Sequence, residues 1–208
     1  MNRKIIYLLI LLLISCNDLV GPESHGGSTG ESHPEPAGNN EIIDATSYTE
    51  WKYYQITLDS LILIPNIGQN FNEIAFWDIA FQRNHIKTNS GTSGIGNAGA
   101  YVDSTETWNG TLFNDLNQIE EELNYTYDMI LNTFYLGTGE FTTGSTNPSL
   151  ETWAKIDVNN NYTMTITNNK FIIRTSDGDN YYKFWMRDYY DENGISGNIT
   201  LIYDHLIK

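Results

Sequence analysis

Short runs of aromatic and β-branched residues alternate along the chain with turns rich in Gly, Asn and Asp. Aromatic and β-branched side chains favour strands, and the small polar residues favour turns. In residues 49–58, Trp51 and Tyr53 share one face, while Lys52 and Tyr54 share the other. The pattern therefore predicts a mainly β fold built from many short strands.

The second half of the chain continues this pattern. Tyr162, Met164 and Ile166 alternate with threonines, which predicts a half-buried strand. Asp177-Gly178 separates two strand-like runs and indicates a hairpin. A last strand is predicted at 197–207, and the only helical spacing lies in 114–123, where we expect one or two turns at the edge of the sheets.

The segment 76–102 reads FWDIAFQRNHIKTNSGTSGIGNAGAYV. Its first part alternates Trp77 and Phe81 with Asp78 and Gln82, as in a strand. A loop rich in Gly, Ser and Asn follows, and then a second apolar run. This loop lacks the Lys-Ser/Thr ending of a phosphate-binding loop and precedes a strand, so we exclude nucleotide binding there.

The first residues, MNRKIIYLLILLLISC, combine two basic residues with an apolar run of ten residues. Such a run is too short to cross a bilayer and has the length of a signal-peptide core. The ending Leu-Ile-Ser-Cys looks like a bacterial lipobox. We therefore predict a lipoprotein signal peptide at 1–15, with lipidation at Cys16. The alternative is an ordinary signal with an incidental cysteine.

Residues 16–40 are predicted to be the lipidated Cys16 and a flexible linker, because Gly, Ser, Pro and Glu dominate their composition. His25 and His33 lie in this linker. They are either a metal-binding tract or solvated polar residues.

Residues 41–208 are predicted to form one domain of ordinary size, long enough for a substantial core. We expect no cofactor to be required for its folding. Without Arg3 and Lys4 the chain has 9 basic and 26 acidic residues, a net charge of −17. Nucleic-acid binding is excluded on this ground. Cys16 is the only cysteine, so disulfides and thiolate metal sites are excluded after it, and we see no arrangement of catalytic residues.

Three stretches resemble the HmuY family, the haem-binding lipoproteins (haemophores) of Bacteroidetes. The central one is WDIAFQRNHIKTNSGTSGIGNAGAYV (77–102), in which Thr-Asn-Ser-Gly is the most specific block. IDATSYTEWKYYQI (43–56) resembles the family's opening segment, and 171–203 resembles its closing segment. A lipobox is also typical of the family.

The resemblance implies an all-β, irregular antiparallel domain, shaped like a hand and with at most one short helix. It implies an outer-membrane or cell-surface lipoprotein that binds haem b, is not an enzyme, and passes haem to an outer-membrane haem receptor. It also implies that the glycine-rich loop is scaffold and that Trp77 and Asp78 anchor the core. Arg83 is expected to pair with a buried acid, with Asp78 as one candidate.

The resemblance implies two axial ligands on the haem iron, which requires lone-pair donors such as imidazole, thioether or phenol. The later ligand position falls near Val158, which cannot bind iron, and the earlier one lies between Asp128 and Trp153. The candidates are Met129, Met164, Tyr135 and His85, with His205 in the last strand. The alternative for each is a structural role: Met164 and Met129 as core residues, and His85 as a surface histidine. No metal other than haem iron is expected.

Two hypotheses of different classes follow. The first is a HmuY-type lipoprotein that binds haem and assists haem uptake. In the second, the fold has lost its iron ligands and serves as a structural, protein-interaction or glycan-binding module. Exposed aromatics such as Trp108, Trp153 and Trp185 would then form the binding platform.

Overall fold

The computed structural model describes residues 33–65 and 67–208, which form an antiparallel β fold. The predicted signal peptide, Cys16 and His25 lie outside these residues. Within the described part, no helix has the length and hydropathy needed to cross a bilayer. The strands are β1 (Asn39–Asp44), β2 (Lys52–Ile56), β3 (Leu61–Ile64), β4 (Ile79–Gln82), β5 (His85–Thr88), β6 (Gly99–Thr107), β7 (Met129–Tyr135), β8 (Phe141–Thr146), β9 (Ala154–Asp157), β10 (Thr163–Ile166), β11 (Asn169–Arg174), β12 (Tyr181–Tyr190) and β13 (Ser196–Leu206).

Two sheets make the body of the domain. The larger has the order β1-β13-β12-β11-β6, and the smaller has the order β3-β2-β4-β5. Buried residues of both sheets form one core, among them Phe81 and Ile86 from the smaller sheet and Phe184 and Tyr203 from the larger. The core therefore lies between the sheets, as in a sandwich.

The predicted hairpin at Asp177-Gly178 is confirmed. It joins β11 to β12, and Gly178 has a φ of +87°. The single strand predicted in segment 76–88 is instead two strands. A tight turn at Arg83, which has a φ of +53°, divides it into β4 and β5. All four residues of β4 are buried, so this strand is covered on both faces rather than on one.

The helix begins and ends earlier than the spacing at 114–123 predicted. Helix α1 spans Gly110–Asp115, and the Asn109 side chain accepts a hydrogen bond from the Leu112 amide. Beyond α1, the Ile119 amide donates to the Ile207 carbonyl, so the chain there pairs with the end of β13. The apolar spacing is still satisfied, because Leu116, Ile119 and Leu123 pack against buried residues. Two short 3-10 helices, Gly68–Glu73 and Leu150–Thr152, complete the elements.

Trp77 and Asp78 are buried, as expected for core anchors. The Asp78 carboxylate accepts hydrogen bonds from the amides of Ile56 (2.8 Å) and Ser176 (2.6 Å), which links the two sheets, although burial raises its pKa. The expected Arg83–Asp78 pair is wrong. Arg83 instead donates to the Ser196 carbonyl (2.9 Å) and hydroxyl (2.6 Å) and lies over the Tyr48 ring.

The folded domain begins before residue 41, which was its predicted first residue after a linker ending at residue 40. Residues 33–38, which we call the N-terminal strap, pack against α1. The Ala37 amide donates to Asn114 Oδ1 (2.6 Å), and Asn114 Nδ2 donates to the Glu35 carbonyl (3.2 Å). β1 then begins at Asn39, paired with Tyr203 of β13.

Candidate functional site

Two hairpins outside the main sheets contain the stretches where the resemblance locates the iron ligands. The first pairs β7 with β8, and the second pairs β9 with β10. The 3-10 helix Leu150–Thr152 lies between them in the chain. They are the two-stranded parts of the fold, and a two-stranded sheet depends on packing against the body for its stability.

The root of the β7–β8 hairpin is held by a buried carboxylate. Asp128, which is 4% exposed, accepts hydrogen bonds from the Thr88 amide (2.9 Å), the Thr88 hydroxyl (2.7 Å) and Asn147 Nδ2 (3.2 Å). Burial raises its pKa to about 6, and the hydrogen bonds oppose that rise. The same carboxylate therefore joins β5 to both ends of the hairpin.

Lys87 lies beside this root in a cage of aromatic rings. It is 2% exposed, and its Nζ donates to the Tyr53 hydroxyl at 2.8 Å. Nζ also lies 3.8 Å from the centre of the Phe71 ring and 4.3 Å from that of Trp51. Burial lowers the pKa of Lys87 to about 7, and the nearby Asp128 carboxylate opposes that effect.

The register of the β7–β8 hairpin shifts between Leu131 and Phe134, where β7 contains one extra residue. Residues directly opposite each other in a sheet share a face. Met129 and Phe134 therefore share the face of Thr146 and Thr142, whereas Tyr135 shares the opposite face with Phe141. Met129 and Tyr135 are also six residues apart, roughly 20 Å in an extended strand. They cannot bind one iron as an axial pair.

Phe134 holds the middle of this hairpin to the smaller sheet. It is buried, and its ring centre lies 4.2 Å from that of His85 and 5.9 Å from that of Trp51. Nδ1 of His85 lies 2.9 Å from Glu151 Oε2, in hydrogen-bonding contact. His85 is thus engaged within the seam between hairpin and body.

The remaining ligand candidates differ in exposure. Met129 and Tyr135 are exposed, and Tyr135 contacts the rings of Tyr48 and Phe141. Met164 shares a face with Ile156 and packs against the main core. His205 contacts the Tyr182 ring at the end of β13. Within the described residues, no hydrogen bond or ring contact joins any two of Met129, Met164, Tyr135 and His85.

The tip of the β9–β10 hairpin exposes a donor that the sequence reasoning missed. Tyr162, predicted to lie inside a strand, instead precedes β10 with a φ of +58° and is 71% exposed. Val158, where the later ligand was expected, lies at the same tip and is also exposed. No pattern in the sequence distinguishes Tyr162 from the alternating residues that follow it.

The aromatic platform of the second hypothesis is wrong. Trp108, Trp153 and Trp185 are 4%, 1% and 7% exposed, and each indole NH donates to an acceptor inside the domain. The exposed large apolar side chains of the two hairpins are different ones. They are Met129, Ile130, Tyr135 and Phe141 on the first hairpin and Ile156, Val158 and Tyr162 on the second.

Two shallow cavities lie elsewhere. One, of about 330 Å³, is lined by Gln55, Phe76, Asp78 and Asn180, and the other, of about 460 Å³, by Ser104, Lys155 and Asn169. None of the four ligand candidates lines either cavity. Among the described residues, no group of three or more His, Cys, Asp or Glu could hold a metal ion.

Residues 47–203 match the family model for HmuY protein. The chain belongs to the HmuY family. No curated protein matches the sequence. Among solved structures, a protein from Bacteroides vulgatus described as HmuY-like and haem-binding is similar with 21% identity and a TM-score of 0.62, over 81% of this chain and 92% of that one.

Two further structures share this fold. The apo HmuY analog of Tannerella forsythia has 19% identity and a TM-score of 0.58, over 86% of this chain and all of that one. A Bacteroides fragilis protein described as a lipoprotein has 19% identity and a TM-score of 0.56, over 82% of this chain and 91% of that one. At such identities the likeness shows the shared all-β HmuY fold.

The hairpins of this HmuY-family chain have side chains whose chemistry suits haem. A porphyrin buries a large apolar surface, and both hairpins expose large apolar side chains. Iron accepts a thioether or a phenol oxygen as an axial ligand. Met129 supplies the first on one hairpin and Tyr162 the second on the other, and both are exposed.

Proposed function

We propose that this chain is an exported, lipid-anchored haem-binding protein that assists haem acquisition and has no catalytic role. The observation that carries this proposal is that each hairpin exposes at least one iron donor among large apolar side chains, in a chain of the HmuY family. The haem would be of the b type, which is held without covalent bonds; the chain has one cysteine, Cys16, and so lacks the Cys-x-x-Cys-His motif of c-type attachment.

Met129 and Tyr162 are the proposed axial ligands, and haem would supply the iron that they bind. Met129 is favoured over Met164 because Met164 packs against the core, and Tyr162 is favoured over His85 because His85 is engaged with Glu151 and Phe134. Tyr135 lies on the hairpin face opposite to Met129 and is the alternative ligand if haem binds that face.

Cys16 would anchor the protein in the outer membrane, at the cell surface, and an outer-membrane haem receptor would be the partner that takes the haem. Stable anchoring requires more than one acyl chain, which a lipobox cysteine receives. The linker after Cys16 would let the domain reach such a receptor.

The test is a haemin titration of residues 17–208, followed in the Soret and visible bands of the ferric and ferrous states. We expect saturation at one haem per chain. Met129→Ala and Tyr162→Phe should each weaken binding at least tenfold and change the visible bands. Ile130→Ala is the matched control, because it removes exposed apolar surface next to Met129 without removing a donor.

His85→Ala, Met164→Ala and Tyr135→Phe complete the set, and we expect them to leave the visible bands unchanged. A linear, unsaturable uptake by the unmodified chain would overturn the proposal. It would favour the second hypothesis, a protein-interaction module that uses the exposed apolar hairpins. Unchanged bands in both ligand variants, with binding intact, would instead exclude the ligand assignment.

A further inference from the structure

The Thr-Asn-Ser-Gly block, Thr88 to Gly91, is the most specific part of the family resemblance, yet it contributes no proposed ligand. In the structure, three of its four residues contact Asp128. The amide and hydroxyl of Thr88 donate to the Asp128 carboxylate, at 2.9 and 2.7 Å. The Asp128 amide donates to the Ser90 hydroxyl at 3.2 Å, and the Asp128 carbonyl accepts from the Thr92 amide at 3.0 Å.

Gly91 lets the block close around Asp128. It has a φ of +54°, which L side chains rarely adopt, and a Cβ at this position would overlap the Asp128 carbonyl oxygen. The remaining residue of the block, Asn89, fixes the following loop. Its Nδ2 donates to the Trp77 carbonyl (2.9 Å), and its Oδ1 accepts from the Gly96 amide (3.0 Å).

The other strand of the hairpin is tied to the same point. Asn147 follows β8 directly, and its Nδ2 donates to the Asp128 carboxylate (3.2 Å) and to the Thr126 carbonyl (2.9 Å). The Asn147 amide also donates to the Ile86 carbonyl of β5 at 3.0 Å. Both ends of the β7–β8 hairpin therefore converge on one buried carboxylate.

We propose that Thr88, Ser90 and Gly91 form a socket for Asp128, and that Asp128 is a positioning residue for the neighbouring Met129. The carboxylate sets the place and direction in which β7 leaves the body of the domain. Hydrogen bonds to a buried, charged acceptor are among the stronger ones in proteins, so the hairpin root becomes rigid. The part concerning Met129 rests on the proposed haem-binding function, whereas the socket itself does not.

The test uses Asp128→Asn in residues 17–208, with hydrogen exchange measured without haem. We expect the amides of β7 and β8 to exchange at least tenfold faster, while those of β12 and β13 keep their protection. Asp44→Asn is the matched control, because Asp44 also accepts from the amide and hydroxyl of one threonine, Thr46, but lies on β1. Unchanged exchange in the hairpin would overturn the proposal that the socket holds the hairpin root.

A second readout separates positioning from general stability. Asp128→Asn should give the haemin spectrum of Met129→Ala, and the double variant should bind haemin no more weakly than Met129→Ala alone. Additive losses would overturn the positioning role. If Asp128→Asn does not fold, Ser90→Ala is tested in the same way, because it removes the bond from the Asp128 amide and the contact with the Thr88 hydroxyl while leaving the Asp128 carboxylate in place. If the unmodified chain binds no haemin, the proposed function fails, and hydrogen exchange alone then tests whether the socket holds the hairpin root.

Discussion

Replacing Lys87 by Met should stabilise the domain near neutral pH and remove part of its pH dependence. Burial lowers the pKa of Lys87 to about 7, whereas an unfolded lysine has its ordinary value of 10.5. The unfolded chain therefore binds more protons than the folded one above pH 7. The contribution of Lys87 to stability is therefore greatest above pH 10.5, declines as the pH falls from about 10.5 to about 7, and changes little below that.

The magnitude follows from this difference. Between pH 7 and pH 9 the folded lysine loses its proton while the unfolded one keeps it, so the free energy of unfolding should rise by about 2 kcal/mol. Asp128 faces Lys87 and has a pKa of about 6, so it is mostly ionised throughout this range. Tyr53 stays protonated throughout this range and adds no pH dependence of its own, because burial raises its pKa far above it.

Urea unfolding at pH 7, 8 and 9 measures the effect. The unmodified chain should gain stability over these steps, and Lys87→Met should lack this gain. Lys155→Met is the control, because Lys155 is exposed on β9 and its removal changes the net charge equally. An equal pH dependence in Lys87→Met and the unmodified chain would refute the reasoning and would mean that the Lys87 ammonium is solvated.

Three further variants test other contacts. Gly144→Ala places a Cβ against the Phe134 ring and should cost about 2 kcal/mol in hydrogen-exchange protection of the hairpin. Gly139→Ala, at the open tip, should cost about 1 kcal/mol from its φ of +87° alone. Equal costs in the two variants would exclude steric displacement of the ring. Arg83→Lys should lower the free energy of unfolding in urea by about 2 kcal/mol, since lysine cannot reproduce the two-pronged contact, and an unchanged midpoint would contradict this. Cys16→Ser should move the protein from the membrane fraction to the soluble one, and continued membrane association would argue against the lipobox.

Sequence patterns predicted the strands most reliably where one face is apolar and a glycine turn is present. The hairpin of β11 and β12 was predicted for this reason, because Asp177-Gly178 permits the positive φ of its turn. The segment at 76–88 was harder, since all of β4 is buried and the positive φ of its two-residue turn, Arg83-Asn84, falls on Arg83, a residue without a preference for that conformation.

The candidate site depends on contacts that no local pattern encodes. The bulge in β7 places Tyr135 on the face opposite to Met129, and the alternation of residues does not reveal it. The helix at 114–123 was predicted from apolar spacing, but pairing with Ile207 satisfies the same residues in an extended conformation. Non-local pairing overrides local preference in both places.

The N-terminal strap has a mechanical consequence. When the domain is pulled from its N-terminal side, the load reaches the bonds between residues 33–38 and α1 first. β1 and β13 are antiparallel, so further pulling would open their ladder one pair at a time, beginning at Asn39 and Tyr203. The contacts of the strap would therefore break before those of β1 and would protect the core from the first part of the load. A pull that detaches the strap leaves β1, and the sheet behind β1, in place.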